Sequence, residues 1–236
     1  MQSESRSDRL QGEVYHSGKM DGSTLKWIAL ITMLIDHIGF VFFSRGDNIL
    51  FVVYTVCRQI GRISFPLFCF LLVEGFCHTR DVKKYILRMT GFAFLAEIPF
   101  DLLFRGKIVK LDAQNVLFTF VLGLVTLLLV KKNALWDIKT ILTFLVMGGL
   151  AYFFRVDYTW FGIALILVFY YFRERPWERT MVAGAFLIWE PVSLLALLPI
   201  ACYNGERGKG GKYFFYWFYP LHLLVLWMIK TEMRLL

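Results

Sequence analysis

The sequence predicts an all-α fold, a polytopic bundle of about eight transmembrane helices. Of its 236 residues, 58% are hydrophobic and 18% aromatic, which leaves too little polar surface to cover a soluble globule of this size. Apolar runs recur from Leu25 to the C-terminus, and no polar block long enough for another domain interrupts them. We therefore expect a polar N-terminal tail, residues 1–24, followed by one membrane domain, residues 25–236.

The expected spans follow the apolar runs, because about twenty apolar residues cross a bilayer as a helix. They cover residues 25–44, 60–77, 83–104, 115–131, 138–154, 158–173, 180–202 and 213–230. Residues 49–59 are too short to cross alone, and Pro191 and Pro199 are placed to break the seventh run. The count therefore ranges from seven to nine.

The basic loops predict an orientation, since Lys and Arg concentrate in short cytoplasmic loops. Loops 78–84, 131–139 and 173–179 fall on the same side as both termini in an alternating eight-span arrangement, and we expect that side to be cytoplasmic. Loops 105–110 and 204–212 are equally basic but fall outside, so either a span is miscounted or these charges face an anion. The net charge of +8 resides in such loops, and we expect no nucleic-acid binding.

Asp36 and His37 lie inside the apolar run KWIALITMLIDHIG, residues 26–39. An ionisable side chain facing lipid costs about 2.5–3.5 kcal/mol, so such residues usually face a cavity or a partner. Lys26 precedes His37 by eleven residues, which places both on one helical stripe about 16 Å apart. The pattern predicts a site at His37. The structural alternative is a His37 that only locks helix packing and a Lys26 that only anchors the helix at the membrane surface.

Further polar residues interrupt the apolar runs. Arg58 and Arg62 are one helical turn apart and suit a phosphate or carboxylate, although an ion pair of Arg62 with Asp36 or Glu74 explains them equally well. The other candidates suit substrate contacts, helix caps or interhelical hydrogen bonds: Glu74, His78, Asn115, Asp157, Tyr158, Glu190, Tyr219 and His222. The segment GERGKGG, 205–211, has a composition suited to phosphate but lacks the spacing of a P-loop.

Four segments taken in order resemble the TraX family of membrane acetyltransferases, associated with N-terminal acetylation of conjugative pilin. They are LKWIALITMLIDHIGF, GRISFPLFCFLLVEGFCHTR, NVLFTFVLGL and NGERGKGGKYFFYWFYPLHLLVL. TraX is in turn similar to the acyltransferase-3 group, whose first span carries Arg, ten residues and then a catalytic His. Lys26 and His37 have that spacing here. Lysine keeps the charge but loses the bidentate fork of arginine.

The resemblance implies acetyl transfer from acetyl-CoA, as co-substrate, to an amine or less readily a hydroxyl, in the bacterial inner (cytoplasmic) membrane and without a metal. His37 would be the general base, oriented by Asp36 directly or through water. An acetyl-histidine intermediate stays open as a variant. Lys26, Arg58, Arg62 and Lys212 would bind the CoA phosphates or the thioester oxygen. The acceptor would be a membrane-presented peptide such as a pilin subunit.

Two other classes of function remain open from the residues alone. A proton-coupled transporter also places Asp, Glu and His at the membrane midplane on broken helices, but the sequence shows no internal repeat by eye. A non-catalytic assembly component would use its polar residues only to lock helices together. We expect His37→Ala to abolish acetylation in an enzyme and substrate-driven proton flux in a transporter. In an assembly component the same change would only lower stability.

Overall fold

The computed structural model describes residues 18–44, 48–108, 112–209 and 211–235, without the side chains of Lys212, Arg234 and Leu235. This part of the chain is helical, with two isolated β-bridges and no strand. The α-helices are α1 Gly22–Phe43, α2 Asn48–Gly61, α3 Ser64–His78, α4 Val82–Arg105, α5 Val116–Val130, α6 Ile138–Phe153, α7 Thr159–Tyr171, α8 Pro176–Leu187, α9 Leu197–Ala201 and α10 Lys212–Leu235. A 3₁₀ helix, Pro191–Ala196, lies between α8 and α9.

Short polar side chains fix where several helices begin. Asp21, Asp81, Asn115 and Asp137 are the N-caps of α1, α4, α5 and α6, and each accepts a hydrogen bond from a backbone N–H of the first turn. The helix α4 ends at Gly106, whose φ of 66° is accessible to glycine. Local capping residues therefore determine where these helices begin. The first helix begins at Gly22, three residues before the expected start at residue 25.

Within the described ranges, two helical segments are long and apolar enough to cross a membrane, Gly22–Phe43 and Asn48–His78. The second joins α2 to α3, so residues 49–59 extend the predicted second span. Shorter apolar helices cover Val116–Val130, Ile138–Phe153 and Thr159–Tyr171. Helices therefore lie in each predicted run, and the long segments are compatible with a membrane protein.

The helices run between two ends of the bundle. We call the end where α1 begins the proximal end, and the end where α1 finishes the distal end. Tyr170 donates to the Lys131 carbonyl at the proximal end, and Lys230 donates to the Leu103 carbonyl at the distal end. From α1 to α7 the chain thus alternates between the ends, with α2 and α3 together making one pass.

The segment predicted as the seventh span, 180–202, does not cross the bundle, and that expectation is corrected here. At its entry Arg173 binds Glu74 of α3 at 2.7 Å, and at its exit the Tyr203 hydroxyl reaches the same carboxylate at 3.5 Å. Its tip carries Glu190, which binds Arg62 at the other end of α3. The helix α8 and the segment 191–201 therefore form a helical hairpin that enters and leaves at the proximal end.

The hairpin changes which loops share an end. Met20 bridges to Tyr203, and the Gly22 N–H donates to the Glu206 carbonyl at 2.8 Å. Loop 203–209 is thereby held against the start of α1, at the same end as loops 78–84 and 173–179. The expectation that loop 204–212 lies opposite those loops is wrong because the chain turns back at Glu190.

Two hydrophobic clusters hold the bundle together. The larger is built around α3, α5 and α7 with the hairpin, and includes Phe70, Leu124 and Phe169. The smaller joins α1, α4 and α10 through side chains such as Leu30, Ala96 and Leu223. This second cluster packs α1 against α10, which places their histidines side by side.

Candidate functional site

Two histidines from opposite ends of the sequence meet inside the bundle. The Nδ1 atom of His37 on α1 lies 2.7 Å from the Nε2 atom of His222 on α10. Both residues are only 8% exposed. His222 was one of the sequence candidates, but its partner was not predicted. The structure thus joins the strongest candidate to a second imidazole.

The hydrogen bonds of this pair fix the position of each proton. His222 Nδ1 lies 2.7 Å from the Phe218 carbonyl, which can only accept, so Nδ1 carries the hydrogen. The Nε2 atom of a neutral His222 is then an acceptor, and His37 Nδ1 must donate to it. A neutral His37 therefore keeps its lone pair on Nε2. An unprotonated imidazole nitrogen of this kind can take a proton, as a general base must.

Asp36 forms an ion pair with Arg58 instead of orienting His37. The Arg58 Nη1 atom lies 2.7 Å from Asp36 Oδ2, whereas His37 Nε2 is 3.8 Å from the same oxygen. The side chain that hydrogen-bonds His37 directly is therefore His222, while orientation of His37 by Asp36 through water stays a prediction. The other oxygen, Oδ1, is buried and has no hydrogen-bond partner among the described residues. Asp36 Oδ1 can therefore accept a further hydrogen bond.

Gly61 allows α2 to approach the Asp36 carboxylate. A Cβ atom at Gly61 would overlap the Asp36 side chain, while one at Gly91 on α4 would meet nothing within 4 Å. We expect Gly61→Ala to lower the free energy of unfolding by about 1–3 kcal/mol. Gly91→Ala, the matched control, should leave it unchanged or raise it by up to about 1 kcal/mol. Thermal unfolding of the two variants in detergent measures this, and equal stability would contradict the close approach.

Arg62 connects α2 to the hairpin tip and to the loop before α7. Its Nη1 atom lies 3.2 Å from Glu190, and it also hydrogen-bonds Tyr158. The Tyr158 ring stacks on Phe65 with centroids 3.5 Å apart. This corrects the alternative pairing of Arg62 with Asp36 or Glu74, because both carboxylates bind other arginines.

The loop before α7 holds an unusual backbone. Arg155, Tyr158 and Thr159 have φ values of 52°, 60° and 40°, a region that non-glycine residues seldom adopt. Such conformations persist where the surrounding structure enforces them and often occur at functional sites. Asp157 lines the neighbouring cavity, and partial desolvation by the surrounding protein raises the pKa of its carboxyl. A raised pKa keeps part of this group protonated at higher pH than an ordinary aspartate.

These residues surround a cavity of about 1130 Å³, which we call the distal cavity. Its wall includes Asp36, His37, Arg58, Arg62 and Asp157. Much of the remaining lining is aromatic, with Phe100, Phe104, Tyr152 and Phe153 near the distal ends of α4 and α6. The volume is in the range of sites for small molecules and short peptide segments.

A second cavity of about 700 Å³, the proximal cavity, lies between the starts of α1, α4 and α10. Five residues line both cavities, and we call them the partition: Met33, Phe68, Val116, Phe120 and Tyr219. The Tyr219 hydroxyl is held in the partition by the Val116 N–H. The two cavities therefore meet next to His37, one from each end of the bundle.

Comparisons with known proteins agree with the pattern of the sequence. The model of the TraX protein family matches residues 21–230, which include both histidines, both cavities and the hairpin. The chain belongs to the TraX family.

The chain is similar in sequence to a protein of Dichelobacter nodosus named a probable fimbrial assembly protein FimC, serogroup H1. It is 30% identical over 240 residues, which cover 89% of this chain and 96% of that protein. No solved structure matches the chain. The TraX assignment is therefore consistent with a role connected to pili or fimbriae.

The described basic residues predicted to bind the cofactor lie in different cavities. Lys26 lines the proximal cavity, with its Nζ atom 5.2 Å from the Phe215 ring centroid, so it does not share a cavity with His37. Arg58 and Arg62 line the distal cavity, so the expected grouping of these arginines with Lys26 is corrected. The Lys212 side chain lies outside the described part of the chain.

Three candidates have structural contacts. Glu74 binds Arg173, and the His78 ring contacts the Glu74 carbonyl at 2.8 Å. Asn115 caps α5 and donates to the Ala93 carbonyl at 2.9 Å and to Glu97. The interpretation as a helix cap is confirmed for Asn115. Glu74 ties the hairpin to α3, although it also reaches the wall of the proximal cavity.

The sequence analysis missed three basic residues that line the proximal cavity. They are Arg80, Lys84 and Arg88. Arg207, which also lines it, belongs to the segment GERGKGG that was singled out for phosphate. Arg80 and Lys84 belong to loop 78–84, which was interpreted only as a marker of orientation. Arg88 lies one turn after Lys84 on α4, and this spacing was the available signal.

Proposed function

We propose that this TraX-family protein is a multi-pass inner-membrane acetyltransferase. It transfers the acetyl group of acetyl-CoA to an amine, such as the N-terminus of a pilin or fimbrial subunit. The observation that carries the proposal is the chain of hydrogen bonds from the Phe218 carbonyl through His222 to His37. It leaves a basic nitrogen, His37 Nε2, buried where two cavities meet.

An amine fits the reacting position better than a hydroxyl. His37 Nε2 and Asp36 Oδ2 are 3.8 Å apart, and both are hydrogen-bond acceptors. A group that bridges them must donate at least two hydrogens. A primary amine can donate to both atoms, whereas a hydroxyl has one hydrogen and can donate to only one of them. In that case Oδ2 keeps only its hydrogen bond from Arg58. This pair of acceptors supports an amine acceptor.

The reaction follows from these positions. The neutral amine nitrogen attacks the thioester carbonyl carbon while His37 Nε2 takes a proton from it, a step worth about 10²–10⁴-fold in rate. The tetrahedral intermediate collapses with cleavage of the carbon–sulfur bond, and the amide forms. The leaving sulfur receives the proton from His37, which restores the neutral imidazole and releases CoA. His222 accepts the His37 Nδ1 hydrogen bond throughout and is a positioning residue.

The architecture supports a membrane location and separate access for the two substrates. Large apolar side chains are exposed on the outer surface, for example Ile49 at 79% and Trp177 at 81%. The basic loops 78–84, 131–139, 173–179 and 203–209 lie together at the proximal end, which the positive-inside rule assigns to the cytoplasm. Acetyl-CoA would enter the proximal cavity from the cytoplasm. The acceptor would enter the distal cavity from the other side.

The hairpin gives a topology that differs from eight alternating spans. In a cysteine-free background, we expect Glu206→Cys and Glu174→Cys to react with a membrane-impermeant maleimide from the cytoplasmic side. Lys107→Cys should react from the periplasmic side. An eight-span alternation instead places Glu206 opposite Glu174. Labelling of inverted vesicles and intact spheroplasts separates the two arrangements.

Binding of the donor tests the proposal before an acceptor is identified. We expect acetyl-CoA and CoA to raise the melting temperature of the purified protein in detergent in a saturable manner. Pantetheine, which lacks the phosphates, should have little effect. Absence of any shift from folded protein would contradict an acetyl-CoA-dependent function.

A further inference from the structure

The proximal cavity carries an excess of basic side chains. Six of them line it, from α1, the end of α3, the start of α4 and loop 203–209: Lys26, His78, Arg80, Lys84, Arg88 and Arg207. Two acidic residues also line it, and each already has a basic partner. Asp81 binds Lys84 at 3.3 Å, and Glu74 binds Arg173. The cavity therefore favours an anionic occupant.

Arg88 is held at the centre of this group by aromatic side chains. Its guanidinium lies 5.9 Å from the Tyr85 ring and 5.6 Å from the Tyr216 ring, and Tyr216 also hydrogen-bonds it. Its Nε atom is buried and has no hydrogen-bond partner among the described residues. A buried N–H without a partner is costly, and an anionic oxygen in the cavity would satisfy it.

Loop 203–209 places Arg207 in the wall of the same cavity as Arg88. Ser23 donates to the Lys209 carbonyl at 2.6 Å, next to the bond between Gly22 and Glu206. Gly208 has a φ of 72°, and a Cβ atom there would overlap the Asp21 carboxylate. The loop is thus fixed on α1 and brings Arg207 close enough to Lys26 for the two charges to repel each other. Two neighbouring cations with this geometry suit a polyanion.

We propose that Arg88, Arg207 and Lys26 bind the phosphate groups of the CoA moiety, with the half-buried Arg88 as the anchor. This inference rests on the proposed function and assigns its donor site to residues outside the distal cavity. Lys26 lies about 16 Å along α1 from His37, a span that an extended pantetheine arm covers. The arm would cross the partition between Met33 and Tyr219 and deliver the thioester to His37.

Binding of CoA to the full-length protein in detergent micelles tests this assignment. We expect Arg88→Gln and Arg207→Gln each to weaken CoA binding about tenfold or more, since each removes a charge-assisted hydrogen bond. Arg207 is exposed on a loop, so its replacement leaves folding intact. Arg175→Gln is the matched control, because Arg175 is an exposed arginine that pairs only with Glu178 among the contacts described for it. That variant should bind CoA as the wild type does.

The probe that isolates the phosphates is adenosine 3′,5′-bisphosphate, which lacks the pantetheine arm. It should displace CoA from the wild type, and phosphatidylglycerol added to the micelles should not. Wild-type affinity for CoA in both arginine variants would overturn the phosphate assignment and leave the proposed function standing. Displacement of CoA by the lipid would also overturn it in favour of a headgroup site. No binding of CoA to the wild type would remove the proposed function itself.

Discussion

Replacing His37 with glutamine should abolish acetyl transfer and leave CoA binding unchanged. Glutamine retains an N–H that can donate to His222, so the packing around the 2.7 Å contact survives. It has no basic nitrogen, and loss of a general base lowers kcat by about 10²–10⁴-fold. The measurement is the rate of CoA release from acetyl-CoA in the presence of an amine acceptor.

Arg175→Gln is the control for this variant, because Arg175 is exposed and lines neither cavity. That variant should keep the wild-type rate. If His37→Gln retained most of the rate as Arg175→Gln does, His37 would not be the base. A large loss of stability in His37→Gln would instead favour a purely structural histidine.

Breaking the ion pair between Arg58 and Asp36 should separate stability from activity. Arg58→Gln leaves the Asp36 carboxylate, whose side chain is 16% exposed, without its partner. We expect a loss of about 2–3 kcal/mol in the free energy of unfolding, since a buried charge without a partner is costly. Adding Asp36→Asn removes that charge and should recover most of the stability.

The double variant should remain inactive despite its recovered stability, because the neutral amide in place of Asp36 is a weaker acceptor than a carboxylate for the hydrogen that the amine donates to it. Thermal unfolding and the transfer assay together test this. The same two measurements on Arg62→Gln and Glu190→Gln, which break the ion pair at the hairpin tip, provide the comparison with the Arg58 and Asp36 variants. Recovery of activity together with stability would show that Asp36 acts only through packing.

The sequence predicted the helices well because apolar runs and capping residues act locally. Asp21, Asn115 and Asp137 start helices through hydrogen bonds within a single turn. His37 was found because an ionisable side chain in an apolar helix needs a partner. Such features depend on the residue and its immediate neighbours, and the sequence contains them directly.

The hairpin was missed because a run of apolar residues has the same length whether it crosses or turns back. Residues 180–202 were long enough to span, and the local sign of a turn was Glu190 before Pro191. What decided the outcome was the ion pair between Glu190 and Arg62, together with contacts of Arg173 and Tyr203 to Glu74. These contacts join distant parts of the chain, which spacing does not predict.

The partners within the site were missed for the same reason. His37 and His222 are 185 residues apart in sequence, and only the packing of α1 against α10 brings them together. Four of the five partition residues come from α3, α5 and α10, and only Met33 belongs to α1. The sequence therefore singled out His37 but not the side chains that divide the two cavities.

Transfer of a labelled acetyl group from acetyl-CoA to a peptide with a free N-terminal amine tests the central claim most directly. The purified wild type should label this peptide, and it should not label the same peptide with a blocked N-terminus. His37→Gln should label neither. Equal labelling by the wild type and His37→Gln, or no labelling by wild type that binds acetyl-CoA, would contradict a His37-dependent acetyl transfer to an amine.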